Sequence, residues 1–380
     1  MMLIKNIEIY SPKNIGINDV FISGGKIALI DKNINLFSKK IKVIDGTGKK
    51  LIPGLIDNHI HLTGGGGEGS FKTRVPEIEL SKLIEGGITT AVGLLGTDST
   101  TRSVENLIAK AKALKEEGLS IYVVTGSYGY PSVTLTGSVK KDITFIDEVI
   151  GVKIAVSDHR SPSITHDELA RLASDTRVAG MISGKAGIVV VHMGSGKKGL
   201  EPLNGVLRET EIPIRTMRPT HVNRKEELLA ESFEYAKRGG IIDLTCGIYK
   251  ELSPSKVVLR AELEGVPLEN ITISSDGYGS WSNYDEFGNM IEIGVSSVNS
   301  LYKEFSSMVL EYNYDLEKAL VFFTLNVSKA LNIYPKKGVI MEGSDADLLI
   351  VDDKMNLISV IANGKIMLDE GKVTIKGTYE

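Results

Sequence analysis

The chain comprises 380 residues, 42% hydrophobic and 24% charged, with a formal net charge of -4. These values exclude a disordered polyelectrolyte and a strongly cationic nucleic-acid binder, whose phosphate-facing surface needs clustered Lys and Arg. No apolar run approaches the roughly 18 residues of a membrane span, so neither membrane nor nucleic acid is an expected partner and a small-molecule substrate is the default.

The length suits one large domain with a smaller satellite. The opening segment MMLIKNIEIYSPKN alternates apolar and polar residues, which predicts a strand and not a signal peptide. Cys246, the one cysteine, cannot form an intrachain disulfide, and a cytoplasmic location is expected. Residues 1–52 carry the short β-rich runs IKNIEIYS, DVFISGGKIALI and KKIKVIDGTG, separated by Gly and Asn turns. Residues 336–380 repeat that style in DADLLIVD, LISVIANGKIML and GKVTIKGT. Neither end is long enough for a good core, so the two are expected to pair as a composite β-sandwich domain beside a central domain of residues 53–335.

In the central part the rhythm changes. Eight short apolar runs appear at 55–62, 88–95, 120–127, 151–158, 187–194, 215–222, 241–246 and 271–278. Amphipathic stretches such as VPEIELSKLIEGG, TRSVENLIAKAKALKEEG and HDELARLASDTRVAGMI follow them, several ending in Gly as a helix C-cap does. Eight successive β/α repeats predict an α/β protein with a closed (β/α)₈ TIM barrel. The sixth run is the weakest strand, because Pro219 lies in it.

A barrel of this kind places its active site at the carboxyl ends of the strands. His59 and His61 close the first run, two apart and therefore on one face. Lys153 lies on the fourth run, His192 and His221 end the fifth and sixth, and Asp276 ends the eighth. Singly, each has an ordinary explanation: a structural histidine, a strand lysine paired with a carboxylate, an aspartate capping the next helix. Their joint placement points instead to a metal centre, since imidazole and carboxylate are proper ligands for Zn²⁺ and its neighbours. His159 and His166 fall outside the predicted ligand set. Lysine is an unusual ligand unless CO₂ adds to its amine, giving a carbamate that can bridge two divalent ions roughly 3.5–4 Å apart.

The segments IPGLIDNHIHL, GVIMEGSDADLLIVD and SSDG, with the strand lysine and the two later histidines, resemble the amidohydrolase superfamily of binuclear metallohydrolases. HIHLTGGGGEG, VGLLGTDS, TGSVKKD, GVKIAVSDHRS, HMG, PTHVNR and SSDGYGS are similar to the isoaspartyl (β-aspartyl) dipeptidases within it, over nearly the whole chain. The resemblance implies a barrel with a β-sandwich from both ends and a metal pair, most readily zinc. His59 and His61 would hold one ion, His192 and His221 the other, with Lys153 bridging as a carbamate and Asp276 serving as ligand and proton carrier. A metal-bridging hydroxide would attack the side-chain amide, and Tyr128 would stabilise the oxyanion. The resemblance also implies a homo-oligomer, an octamer assembled from dimers.

The substrate is also readable from charge. Glu68 follows the glycines Gly64–Gly67 after the first run, Arg160 follows the fourth, and Arg224 follows His221 by three residues. An Arg fork fits a carboxylate, and a Glu suits an ammonium group, so the substrate expected is zwitterionic. By resemblance Glu68 would hold the free α-amino group of a dipeptide, while Arg160, Arg224 and Ser280 hold carboxylate oxygens and Gly66 and Thr97 line the subsite. The glycines suit either close backbone approach or a closing lid. Two other readings compete: a cyclic-amide or N-acyl hydrolase resembling dihydropyrimidinases, and a non-catalytic oligomeric scaffold of the same fold. A phosphate-binding role for GGGGEG fails, since no Gly-Lys-Ser/Thr ending follows and Glu68 would repel phosphate.

Overall fold

The computed structural model describes residues 1–247 and 250–380. Eight parallel strands follow the order of the chain: Leu55–Ile60, Ile88–Gly93, Ser120–Gly126, Val149–Val156, Ile188–Met193, Met217–Thr220, Ile242–Thr245 and Ile271–Ser274. The first and last meet through a parallel bridge between Ile60 and Gly277, with the His61 amide donating to the Gly277 carbonyl at 2.9 Å. This is a TIM barrel. Helices such as Val104–Glu116, His166–Ser183 and Glu226–Lys237 return the chain between strands and cover its outside. The longest, His166–Ser183, starts with a capping box of Thr165 and Glu168 and stops at Gly184 in the left-handed region, so both ends are specified locally.

The alternation of side chains explains why the strands read as continuous apolar runs. Along the fifth, Val189, Val191 and Met193 pack outward against the helical layer, while Ile188 and Val190 join Ile56, Val92, Val124 and Ile150 inside the barrel. Val327 and Leu331, from the helix Leu325–Ala330 and its end, belong to the same inner cluster and plug it. With both faces buried there is no polar face to mark a period of two. The sixth strand is only four residues long and carries Pro219 opposite Val191, as a run interrupted by proline would require.

The two chain ends build a nine-stranded sheet in which Leu348–Val351 hydrogen-bonds to Lys50–Pro53, joining late to early sequence. It encloses its own apolar core of Ile4, Ile7, Ile9, Leu51, Leu348 and Ile350. A separate hairpin, Ser280–Tyr284 with Met290–Val295, stands just beyond the eighth barrel strand. Among the described residues no helix is long and apolar enough to cross a membrane.

Candidate functional site

The barrel positions the predicted ligands through its strand ends. His59 lies in the first strand, Lys153 in the fourth and His192 in the fifth, whereas His61, His221 and Asp276 sit just past strands one, six and eight. His221 and Asp276 adopt left-handed backbone, φ 62° and 51°, a strain of about 1–3 kcal/mol each that the surrounding fold must hold. Such strain turns both side chains inward at the point where the strands stop.

All six converge. Ligand atoms of His59, His221 and Asp276 lie within 4.8 Å of one another. Asp276 Oδ1 is 3.3 Å from His61 Nε2 and 3.5 Å from His59 Nε2, and Lys153 Nζ is 3.1 Å from His59 Nε2. The His192 ring stacks edgewise on His221 with centroids 4.7 Å apart. His159 stacks instead on Tyr284, and His166 bonds Glu209 at 3.2 Å, both away from the cluster.

Burial sets the protonation states. It pushes His59, His192 and His221 well below the ordinary imidazole range and lowers His61 too, so all four rings are neutral at pH 7. Burial likewise brings the Lys153 ammonium down to about 7, against the pull of Asp276. For Asp276 burial acts upward, but His221, His61 and Lys153 outweigh it and hold the carboxyl at about 2. The cluster is therefore rich in lone pairs and poor in hydrogens to satisfy them. His61 Nδ1 and Asp276 Oδ1 are buried with no hydrogen-bond partner among the described residues. Such a donor set fits divalent cations, which take up the lone pairs the protein leaves unpaired.

Above this cluster a cavity of about 430 Å³ is lined by Gly66, Glu68, Thr97, Tyr128, Arg160, Arg224 and Ser280. Glu68 Oε1 accepts from Ser280 Oγ at 2.8 Å, Thr97 Oγ1 at 3.2 Å and Arg160 Nη1 at 3.4 Å, while its buried Oε2 has no partner among the described residues. Arg224 Nε is also buried and unpartnered. The Tyr128 hydroxyl donates to His192 Nδ1 at 2.8 Å, and burial pushes its phenol upward, so it stays protonated. Gly66, at φ 82°, donates its amide to Ser280 Oγ at 3.2 Å.

Several residues absent from the sequence reading complete the site. Asp158 accepts from His192 Nε2 at 3.2 Å and grips Arg160 through Nε and Nη2, each at 2.9 Å; burial opposes its charge, but these partners hold its carboxyl well below the usual range. It fixes the ring that Tyr128 holds from the other side. Asp57 accepts at 3.2 Å from the amides of both His59 and Ser275, tying the first strand to the eighth. Asp243 gathers Asn58, Thr220, Thr272 and Ser274 around one carboxylate. Arg102 donates to the carbonyls of Gly65 at 3.0 Å and Val75 at 2.7 Å and also to that of Thr63, which braces the glycine loop. An aspartate two residues before Arg160 at a strand end was a usable signal for Asp158. The other three are recognisable only once strands become neighbours.

Comparisons with known proteins agree with this geometry. Residues 51–367 match the model of the amidohydrolase family. The crystal structure of the β-aspartyl dipeptidase of Fervidobacterium islandicum AW-1 in complex with β-Asp-Leu dipeptide is similar at 44% identity and TM-score 0.92, covering 98% of both chains. The same organism's β-aspartyl dipeptidase in a second crystal structure gives 43% identity and TM-score 0.90, again over 98% of both chains. The dihydroorotase of Elusimicrobium minutum is 25% identical over 92% of this chain and 88% of its own length.

Proposed function

The chain belongs to the amidohydrolase family and is a hydrolase of its β-aspartyl dipeptidase group, and from that premise we propose that it cleaves β-aspartyl dipeptides at a binuclear metal centre. The observation carrying this reading is the pairing, over one cluster of metal-ligand side chains, of a buried Glu68 oxygen and a buried Arg224 nitrogen that both lack partners among the described residues. A neutral ring substrate calls for neither charge. A free α-amino group matches the first and a carboxylate the second, which together describe an amino-acid-like zwitterion.

His59, His61 and Asp276 would hold one divalent ion and His192 and His221 the other. Zinc suits these ligands. Bound there, the ions would polarise the scissile carbonyl and make hydroxide available near neutral pH. Lys153, already lowered to about 7 by burial, supplies a neutral amine that would add CO₂ with loss of a proton, and the resulting carbamate would offer two oxygens to the ions. Asp276, ionised at neutral pH, takes the proton of the attacking water and delivers it to the departing amine, since an amide nitrogen leaves poorly unless protonated. Tyr128 turns its hydroxyl from His192 Nδ1 to the developing oxyanion, and Asp158 keeps the imidazole in place meanwhile. Arg160, held by Asp158 and leaning on Glu68, and Ser280 orient the carboxylate end of the substrate.

A homo-oligomer, an octamer by family analogy, is supported by Val178, Met181 and Ile182. They share one face of the helix His166–Ser183 and are 40%, 68% and 71% exposed. The lone buried Cys246 suits a reducing cytoplasm.

A hydrolysis screen of β-aspartyl dipeptides, α-aspartyl dipeptides and hydantoins, with metal analysis of the same sample, tests the proposal. We expect cleavage of the first class alone and about two metal equivalents per chain. Hydantoin cleavage without dipeptide cleavage would move the chain to the cyclic-amide hydrolases. Metal-free, inactive protein would make it a scaffold.

A further inference from the structure

Beyond Ser280, the hairpin past the eighth strand has no part in the chemistry above. Its register pairs Trp281 with Gly294 and Asn283 with Glu292. Residues two apart in a strand share a face, and so do directly paired residues, so these four lie on one side of the two-stranded sheet. This inner side contributes Trp281, Asn283 and Glu292 to the cavity lining, to which Ser280 and Ser282 at the alternate positions of the first hairpin strand also contribute. The tip and the second strand also expose Phe287 and Ile291.

The inner side is built for a flat apolar contact. A Cβ at Gly294 would lie 2.1 Å from Trp281 Cζ2, so the indole rests directly across the glycine and any larger residue there would displace it. Beyond it, Asn283 Nδ2 donates to Glu292 Oε2 at 2.9 Å, which orients the carboxylate. Three carboxylates line the cavity: Asp276 and Glu68 lie at its base, and Glu292 is on the exposed rim.

Resting on the β-aspartyl dipeptidase reading, we propose that this hairpin face is the subsite for the leaving residue and that it selects a long cationic side chain there. The aspartyl half is taken up by the metal cluster and Glu68, so the departing amino acid must extend toward the mouth, where the hairpin stands. The methylene stem of a lysine or arginine leaving residue lies along the Trp281 ring, and its charged head reaches Glu292 at the solvent edge. A glutamate leaving residue meets the same carboxylate with like charge.

The test compares kcat/KM for β-Asp-Lys, β-Asp-Glu and β-Asp-Leu in the metal-loaded enzyme and in Glu292→Gln, Glu292→Lys and Gly294→Val. Lys:Glu ratios are taken within each protein, so a general loss of activity cancels. We expect the wild-type enzyme to favour Lys over Glu on the order of tenfold at low salt, less at high salt. Glu292→Gln should bring the two within about twofold and Glu292→Lys should invert them, mainly through KM. Gly294→Val should raise KM for the Leu and Lys substrates together. A Lys:Glu ratio that is the same in wild type, Glu292→Gln and Glu292→Lys, with β-Asp-Leu still cleaved, overturns this inference alone. Failure of the wild-type enzyme on every β-aspartyl dipeptide overturns the functional reading, and this inference with it.

Discussion

Two lysines are fully enclosed in this protein, and their surroundings differ in one respect. Lys337 is 2% exposed and sits where the terminal sheet meets the barrel, donating to Asp345 at 2.9 Å, to Asp347 and to Ser120 Oγ at 2.6 Å. Burial alone would lower its ammonium, yet Asp347 and Asp345 outweigh that and raise it. Lys153 is 0% exposed and makes no ion pair among the described residues, and there burial wins. A buried lysine that keeps its charge is a clamp. One stripped of its charge is a nucleophile or a ligand precursor, and the presence of a contacting carboxylate decides between them.

Exchanging the two roles by mutation tests that contrast most sharply at the active site. Lys153→Ala should lose turnover to the level of the metal-free protein with little change in unfolding midpoint, and added propionate, whose carboxylate would substitute for the proposed carbamate, should restore part of it. A loss of fold in place of activity would make Lys153 a clamp as well. Asp276→Asn should lower kcat by about 10²–10⁴-fold while metal content, measured on the same sample, stays near the wild-type value. By contrast Lys337→Met strands two carboxylates and should cost about 3–5 kcal/mol in denaturant unfolding, with activity per folded molecule retained. The same clamp has a pH signature. The depressed Asp345 carboxyl contributes stability above its ordinary range that is lost as pH falls through its lowered value. The raised Lys337 contributes below its ordinary value and fails only as pH rises through the raised one, so the clamp holds across neutrality. Smallest in range is Tyr128→Phe, expected to reduce kcat about a hundredfold while KM moves little; a KM effect without a kcat effect would make it a ground-state contact.

The barrel was legible because eight apolar runs alternate with amphipathic ones, and the ligand-type residues because so few histidines exist and most fall at run ends. The place of Lys153 on the fourth run marked it as a ligand candidate, whereas the clamp formed by Lys337 was not legible. Lys153 and Lys337 look alike as letters, and their difference lies in Asp345 and Asp347, neighbours of one, and in the lack of any such partner for the other. Asp57, Asp243 and Arg102 were silent for the same reason, since each acts on backbone or side chains of strands remote in sequence. The glycine loop read equally as a lid or a close approach. Three Arg102 contacts to its carbonyls and that of Val75 now show a braced segment.

The stitch that Asp57 makes with Ser275 spans 218 residues. Because the first and last strands both contribute to the His and Asp cluster, a ribosome must extrude almost the entire barrel before any such pocket exists. The complete cluster therefore exists only once the first and last strands have met, and an ion that needs all of these ligands must wait for barrel closure.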